Sequence, residues 1–363
     1  MKRFTLVLAA LVCGIVFNHL CSVASAQNAL RKPARPKAQT SSTLAPRERQ
    51  FAFEYRATVK EIPAGTRKFD LWIPVPHDTP FQKITSLEID SPQPYRVHTA
   101  EYGNKVLHLS LNHPAPAGFT VTMRFDTLRR EHIQARLRAA SHTPTTTPRE
   151  ERDPYMARWL APDRLVPIDG KVREWAQEVA EAAGAKTNLD RARAIYNHVV
   201  STVKYDKSGQ GWGRGDIYYA CDARRGNCTD FHAIFIGYCR ALGIPARFAI
   251  GFPLPTDRGA GQVSGYHCWA EFYVEGIGWI PVDASEAAKD PARREYFFGA
   301  HDENRVEFTT GRDLVLSPKQ QGAPLNYFIY PYAEADGQPL AAIERTFTYR
   351  DAPRSAATGS GRE

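Results

Sequence analysis

The sequence RRGNCTDFHAIFIGYCRALGIPARFAIGF, residues 224–252, decides the fold. Its apolar residues after position 230 recur with helical spacing, and the pattern stops at Gly243, a residue typical of helix ends. Cys228 therefore stands at or near a helix N-terminus, where free N–H groups and the macrodipole stabilise negative charge and favour the reactive thiolate. A buried structural cysteine is the more common fate of this residue type. The polar residues on either side of Cys228 nevertheless favour a reactive thiol.

A second stretch, GYHCWAEFYVEGIGWIPVDASE at residues 265–286, predicts a β-hairpin. Alternation with a period of two places His267 and Asp283 at the same end of this hairpin, on its more polar face. There Asp283 can hold the imidazole through one ring nitrogen, while the other nitrogen activates the thiol and later protonates a leaving amine. Taken singly, His267 is equally well explained as a core histidine and Asp283 as a cap at a strand end. Together with Cys228 upstream, the three residues favour a catalytic triad.

Four motifs in these stretches resemble the core of the transglutaminase-like superfamily. They are GNCTDF at 226–231, RALGIPAR at 240–247, HCWAE at 267–271 and GWIPVD at 278–283. The resemblance implies a papain-like α+β fold, in which Cys228 is the nucleophile, His267 the general base and acid, and Asp283 the residue that orients the imidazole. It does not fix the reaction, because the superfamily contains protein crosslinkers, proteases, amidases and inactive copies.

The chain before this core predicts an all-β domain. From residue 51 to about 130, short apolar segments alternate with turn residues, which is the pattern of a small antiparallel β-sandwich. Two helices are predicted after it, over 172–184 and 188–206, the second capped by Asn188. The predicted fold class is therefore α+β, with a papain-like core of helices and an antiparallel sheet or barrel behind an all-β sandwich. The predicted boundaries are 1–26 for a signal peptide, 27–49 for a disordered basic linker, 50–130 for the sandwich, 131–165 for a connecting segment, 166–350 for the transglutaminase-like catalytic domain and 351–363 for a disordered tail.

The N-terminal residues have the order of a secretory signal. Lys2 and Arg3 precede an apolar run over 4–17, and the small residues Ala-Ser-Ala end at Ala26, where cleavage is expected. An uncleaved membrane anchor is the alternative, but the run is short for a span of about 20 residues. The expected localisation is export, to the periplasm or outside the cell, with no stable membrane span after the signal is removed.

Composition limits the partners. With 43% hydrophobic and 24% charged residues, the 363-residue chain has an ordinary globular composition for one large or two smaller domains. Much of its formal charge of +8 lies in the Pro- and Ala-rich linker at 27–49, which indicates a solvated spacer. No nucleic-acid partner is expected, since no basic helix or stacking platform accompanies the charge.

Four cysteines remain after the expected cleavage. If Cys228 is a nucleophile it must stay free, so at most one disulfide can join two of the others, Cys221, Cys239 and Cys268. Neither a metal nor a cofactor is expected, because no close pair of Cys or His ligands and no loop of alternating Asp residues is present.

Four further residues are candidates for the cleft. A second donor to an oxyanion, beside the Cys228 backbone N–H, is sought in Trp212, Tyr218 or Tyr219 of the preceding loop, although such aromatics are more often core residues. His232 follows Cys228 by one helical turn and either lines the site or serves as a hydrogen-bonded structural histidine.

Two classes of function follow from these features. The leading hypothesis is an exported cysteine enzyme that transfers or hydrolyses acyl groups at amide bonds of proteins or peptides, including cell-wall peptides, through a thioester. The alternative is a catalytically silent binding or scaffold protein of the cell envelope with the same core. Retention of all three triad residue types favours the enzyme.

Overall fold

The computed structural model describes residues 45–138 and 154–353. The predicted signal peptide, most of the basic linker, the middle of the connecting segment and nearly all of the C-terminal tail lie outside the described residues.

The secondary-structure elements have the following bounds in chain order. The strands are β1 (Glu48–Val59), β2 (Lys68–Val75), β3 (Gln82–Asp90), β4 (Arg96–Thr99), β5 (Lys105–Asn112), β6 (Phe119–Arg130), β7 (His132–Ile133), β8 (Lys204–Tyr205), β9 (Arg225–Gly226), β10 (Ala246–Pro253), β11 (Ala260–Gln262), β12 (His267–Val274), β13 (Gly278–Val282), β14 (Ala300–His301), β15 (Arg305–Thr310), β16 (Tyr332–Ala335), β17 (Gln338–Pro339) and β18 (Ile343–Asp351). The helices are α1 (Ala135–Arg138), α2 (Gly170–Ala182), α3 (Asn188–Thr202), α4 (Ile217–Ala223), α5 (Cys228–Ala241) and α6 (Ala284–Lys289).

Two five-stranded antiparallel sheets contain the N-terminal strands. Their strand orders are β11-β18-β1-β6-β3 and β17-β16-β2-β5-β4. Along β1, buried and more exposed residues alternate as a sheet with one covered face requires. The two sheets meet at their apolar faces, where Phe69 of β2 packs edge-on against Phe119 of β6, with 6.1 Å between ring centroids.

The C-terminal strands complete these two sheets, which corrects the predicted division of the chain. The sequence analysis assigned 50–130 to a β-sandwich domain and 166–350 to the catalytic domain. In the structure β18 pairs with β1 along its length, from Phe51 opposite Asp351 to Val59 opposite Ile343, and β16 pairs with β2. Without these partners, the backbone N–H and C=O groups along one side of β1 and of β2 would be unpaired. The described residues accordingly fall in one compact unit.

The site is positioned by α5 and a four-stranded antiparallel sheet. The sheet has the order β13-β12-β10-β15. Every residue of α5 is buried, which explains why its apolar residues extend around the helix and are not confined to one stripe. Phe235 of α5 packs against Phe272 of β12 at 5.8 Å between ring centroids. This contact face of β12 also carries Cys268 and Ala270, the residues at alternate positions.

The start of α3 differs from the sequence expectation by one residue. Asn188 was predicted to cap this helix, but the cap is Thr187 and Asn188 is the first helical residue. Thr187 accepts a hydrogen bond from the Asp190 N–H at 3.1 Å, and the Asp190 carboxylate accepts one from the Thr187 N–H at 2.9 Å. This reciprocal capping box satisfies two backbone donors, whereas a capping residue alone satisfies one.

The C-terminal end of α5 is fixed by a buried arginine. Arg240 is 3% exposed. Its guanidinium donates to the carbonyls of Ala246 at 2.9 Å and Ala161 at 2.8 Å, and to the carboxylate of Asp163 at 2.8 Å. One side chain thereby connects α5, β10 and the segment that precedes α2.

Replacing Arg240 by methionine is expected to destabilise the fold. The buried Asp163 carboxylate keeps Arg158 as a partner but loses Arg240, two carbonyls lose a charged donor, and each lost hydrogen bond to a charged group costs about 1.5–3 kcal/mol. Urea unfolding should show this decrease in the free energy of unfolding. The exposed Lys186→Met variant is the control and should stay within about 0.5 kcal/mol of the parent. Equal stability of the two variants would contradict the role given to Arg240.

Candidate active site

The sequence around Cys228 forms a closed capping box at the start of α5. Asn227 is the N-cap, and its side-chain oxygen accepts a hydrogen bond from the Thr229 N–H at 2.9 Å. The Asp230 carboxylate accepts one from the Asn227 N–H at 2.9 Å. Cys228 is the first helical residue and is 2% exposed. Its sulfur therefore lies where the positive end of the helix dipole favours a thiolate.

Asp230 also holds the glycine-rich loop before the helix. Its carboxylate accepts hydrogen bonds from the Gly213 N–H at 2.6 Å and the Gly215 N–H at 3.0 Å. The approach explains Gly226, where an added Cβ would lie 2.2 Å from an Asp230 oxygen. The motif G-N-C-T-D thus encodes the turn that presents Cys228. Its glycine leaves room for the Asp230 carboxylate, its asparagine caps the helix, and its aspartate holds the preceding loop.

His267 and Asp283 are joined by a short hydrogen bond. His267 begins β12, and its Nε2 donates to Asp283 Oδ2 at 2.7 Å. Asp283 follows β13 and is also the N-cap of α6, where Oδ1 accepts from the Ser285 hydroxyl and the Glu286 N–H, both at 3.1 Å. The triad and cap interpretations of Asp283 are therefore compatible, because each carboxylate oxygen has its own set of partners.

Arg305 completes the surroundings of Asp283. This buried residue of β15 donates to Asp283 Oδ2 at 3.1 Å and to Asp302 at 3.2 Å. Burial alone would raise the pKa of Asp283, but the charge and hydrogen bond of His267 and the charge of Arg305 lower it well below its usual range. Asp283 is thus held as a carboxylate. No local sequence signal pointed to Arg305.

The Cys228 thiol and the His267 imidazole form a charge pair. Burial alone would raise the pKa of Cys228, but hydrogen bonds from Cys268 and His267 and the positive charge of His267 lower it well below its usual range. Burial also disfavours a charged His267, yet the charge and hydrogen bond of Asp283, with Cys228, raise the pKa of His267 to about 10. Both shifts favour a thiolate beside an imidazolium. Because Nε2 bonds to Asp283, Nδ1 is the ring atom left for the sulfur.

His232 supports the site with both ring nitrogens. Its Nδ1 donates to the Cys228 carbonyl at 2.8 Å, and its Nε2 accepts from the Ala284 N–H at 3.2 Å. It is fully buried, and burial lowers its pKa. A neutral imidazole therefore links the first turn of α5 to the first turn of α6.

The three aromatic candidates for an oxyanion donor have different surroundings. The Trp212 indole N–H donates to the Gly209 carbonyl at 3.2 Å. Tyr218 is 43% exposed and packs edge-on against Trp175. The Tyr219 hydroxyl is buried without a hydrogen-bond partner in the described structure. None of these interactions joins the three aromatics to the Cys228 sulfur.

Tyr266 is a site residue that the sequence reading missed. Its hydroxyl accepts from the Asn227 side-chain amide at 2.9 Å and bonds to the Thr229 hydroxyl at 2.9 Å. It also packs on Tyr327, with ring centroids 5.4 Å apart. Its position next to His267 was the available signal, since strand ends at a cleft commonly contribute more than one residue.

Two groups among the described residues have metal-ligand geometry, and neither includes a cysteine. One is His267, Asp283 and Glu286, in the site itself; the other is His132, Glu271 and His301. Glu271 already pairs with Arg247 through a 2.6 Å hydrogen bond.

All four described cysteines are free, so the disulfide allowed by the sequence is not formed in this structure. Among the described helices, none is both long and apolar enough to cross a membrane.

Comparisons with known proteins bear on the family and the fold. Residues 173–284 match the sequence profile of the transglutaminase-like superfamily. An uncharacterized protein of Haemophilus influenzae is 30% identical over 326 residues, which span 79% of this chain and 87% of that protein. A proposed cysteine protease from Cytophaga hutchinsonii has a similar structure, with a TM-score of 0.53 and 16% identity over 85% of this chain and 94% of its own. The predicted α+β, papain-like fold of the core is confirmed.

A further structural match supports no conclusion about this chain. The periplasmic domain of TgpA from Pseudomonas aeruginosa aligns over 69% of this chain and 95% of its own, at 17% identity, but with a TM-score of only 0.33.

Proposed function

The chain belongs to the transglutaminase-like superfamily, and from this premise we propose that it is an exported cysteine enzyme acting on amide bonds of proteins or peptides. The observation that carries the proposal is the buried charge pair of Cys228 and His267, with Asp283 behind the imidazole at 2.7 Å. A binding protein has no need of such a pair, because burying a thiolate and an imidazolium costs free energy that only their mutual contact offsets.

The proposed reaction proceeds through a thioester. The Cys228 thiolate attacks the amide carbonyl carbon, and the negative charge moves to the carbonyl oxygen. The backbone N–H of Cys228, at the helix N-terminus, is the natural first donor to that oxygen. As the C–N bond breaks, the proton on His267 Nδ1 passes to the leaving amine. Water or a second amine, deprotonated by the same nitrogen, then attacks the thioester and regenerates the thiolate.

Asp283 has a positioning role in this scheme. Its Oδ2 holds the Nε2 proton and fixes the ring so that Nδ1 faces the sulfur, while its Oδ1 is anchored to the first turn of α6. The imidazole therefore needs no reorientation between the two half-reactions.

Export is part of the proposal and rests on the N-terminal sequence. The basic, apolar and small-residue order of residues 1–26 motivates it. Protein amides and cell-wall peptides are the substrates that an exported acyl transferase or hydrolase of this kind would meet.

One assay separates the possible reactions. The purified protein is incubated with a library of glutamine-containing peptides, including cell-wall peptides, and a labelled primary amine. Incorporation of the amine identifies a transferase, release of ammonia without incorporation identifies an amidase, and cut backbones identify a protease. The Cys228→Ala variant is the matched control for each product. If none of these products exceeds that control, the silent scaffold is the correct account.

A further inference from the structure

A second thiol lies against the sulfur of Cys228. Cys268 follows His267 in the chain and is buried on the face of β12 that packs on α5. Its sulfur is 3.7 Å from Thr229 Oγ1 and 3.8 Å from His232 Nδ1. The same His232 nitrogen donates to the Cys228 carbonyl at 2.8 Å, and Cys268 is among the groups that lower the pKa of Cys228. The two thiols are therefore neighbours, although nothing in the proposed amide chemistry requires a second thiol.

The other two described cysteines have different surroundings. The Cys221 sulfur lies 3.4 Å from the Tyr238 hydroxyl, and burial raises the pKa of Cys221 to about 11. Burial also raises the pKa of Cys239, which lies near the far end of α5. Neither is a thiolate at neutral pH. Of the four described cysteines, Cys228 is the one whose pKa is lowered, and a thiolate is the form that reacts with an oxidant.

We propose that Cys228 and Cys268 are a redox pair, joined by a reversible disulfide when Cys228 is oxidised. The inference rests on the proposed function in one respect: the bond inactivates the enzyme only if Cys228 is its nucleophile. The oxidant is a hydroperoxide, a chemical class that an exported protein encounters.

The chemistry has two steps. In the first, the Cys228 thiolate attacks the terminal peroxide oxygen; the O–O bond breaks, the alcohol leaves after taking a proton, and the sulfur becomes a sulfenic acid, oxidised by two electrons. In the second, the Cys268 sulfur attacks that sulfenic sulfur. The S–S bond forms, the S–O bond breaks, and the hydroxyl leaves as water with the Cys268 proton. A dithiol reverses the outcome by thiol–disulfide exchange and returns two electrons.

The adjacent thiol determines the fate of the oxidised enzyme. A sulfenic acid without a nearby thiol proceeds to sulfinic acid, which ordinary thiols do not reduce. Cys268 lies beside the first turn of α5, where Cys228 is the first residue, so condensation requires the two sulfurs to approach to an S–S distance of about 2.05 Å. The pair therefore protects the nucleophile by switching it off reversibly.

Peptide mass spectrometry tests the pair directly. The reduced protein is treated with hydrogen peroxide, the remaining thiols are alkylated, and the digest is analysed. The expected product is a peptide linking Cys228 to Cys268, about 2 Da lighter than the two reduced peptides together. Alkylation of Cys228 by iodoacetamide should fall by at least about tenfold and return after dithiothreitol. The Cys221→Ser and Cys239→Ser variants should form the same link.

Removal of Cys268 provides the decisive contrast. In Cys268→Ser, peroxide should convert Cys228 to sulfinic acid, and dithiothreitol should not restore its alkylation; Cys268→Ala should behave in the same way if serine disturbs the site. A wild-type protein that yields sulfinic acid without the link, or links Cys228 to another cysteine, would overturn the inference. The mass readout is independent of activity. A protein that forms the link but has no activity in its reduced form contradicts only the proposed function, whereas a protein that is active when reduced but never forms the link contradicts only the redox pair.

Discussion

Cys228→Ala is expected to abolish amide chemistry, with a fall in kcat of at least about 10⁴-fold. The variant lacks the sulfur that attacks the amide carbonyl, while the capping box of Asn227 and Asp230, which shapes the turn, is untouched. Activity is measured with the best substrate from the peptide and amine assay. The free energy of unfolding should change by no more than about 1 kcal/mol, since alanine is favourable in a helix and the change removes few buried atoms.

Cys239→Ala is the matched control for this loss. It removes the same atom from another fully buried position of the same helix, 11 residues further along. It should retain the wild-type kcat. A Cys228→Ala protein that remains active, or a Cys239→Ala protein that is folded but equally inactive, would contradict the assignment of the nucleophile.

Asp283→Asn is expected to lower kcat by about 10³–10⁴-fold and to move the pH profile. The carboxylate raises the pKa of His267 to about 10, so imidazolium persists in alkaline solution and the falling limb of the wild-type profile lies near that pH. A neutral amide removes this charge, and the pKa of His267 falls toward its ordinary value of 6.5. Because the leaving amine takes its proton from imidazolium, the falling limb should move in the same, acid direction. The pH dependence of kcat measures the shift.

Asp302→Asn distinguishes this effect from a loss of stability. Asp302 is also buried and accepts a hydrogen bond from Arg305, at 3.2 Å, but its recorded partners do not include His267. Both variants remove one negative charge beside the same arginine and should lower the free energy of unfolding. Only Asp283→Asn should displace the alkaline limb. Equal losses of activity, with no displacement in either variant, would leave Asp283 with a structural role alone.

The local parts of the site could be predicted from the sequence. The period of the apolar residues after position 230 and the glycine at 243 placed Cys228 at the start of a helix, and the structure begins α5 at that residue. The capping box of Asn227 and Asp230 was not predicted, although both residues lie within one turn of Cys228. Even the error at Asn188 is local, because Thr187 has the partner three residues later that closes a capping box.

Contacts between distant segments could not be predicted. The pairing of β1 with β18 joins residues almost three hundred positions apart, and an alternating pattern in either strand does not specify its neighbour. Arg305 reaches Asp283 from the next-but-one strand of the chain for the same reason. Cys268 was read as a disulfide candidate because its contact with Cys228 arises only when β12 packs on α5.

The most direct test of the central claim is the rate of Cys228 alkylation by iodoacetamide across pH, in the wild-type protein and in His267→Ala. A charge pair predicts that the wild-type Cys228 reacts well below the ordinary thiol pKa of 9.0. It also predicts that at about pH 6 the His267→Ala variant reacts at least about tenfold more slowly, with its inflection moved toward the ordinary value. His267→Gln should behave likewise if alanine disturbs the fold. A wild-type inflection at the ordinary thiol pKa, unchanged by loss of His267, would contradict the account.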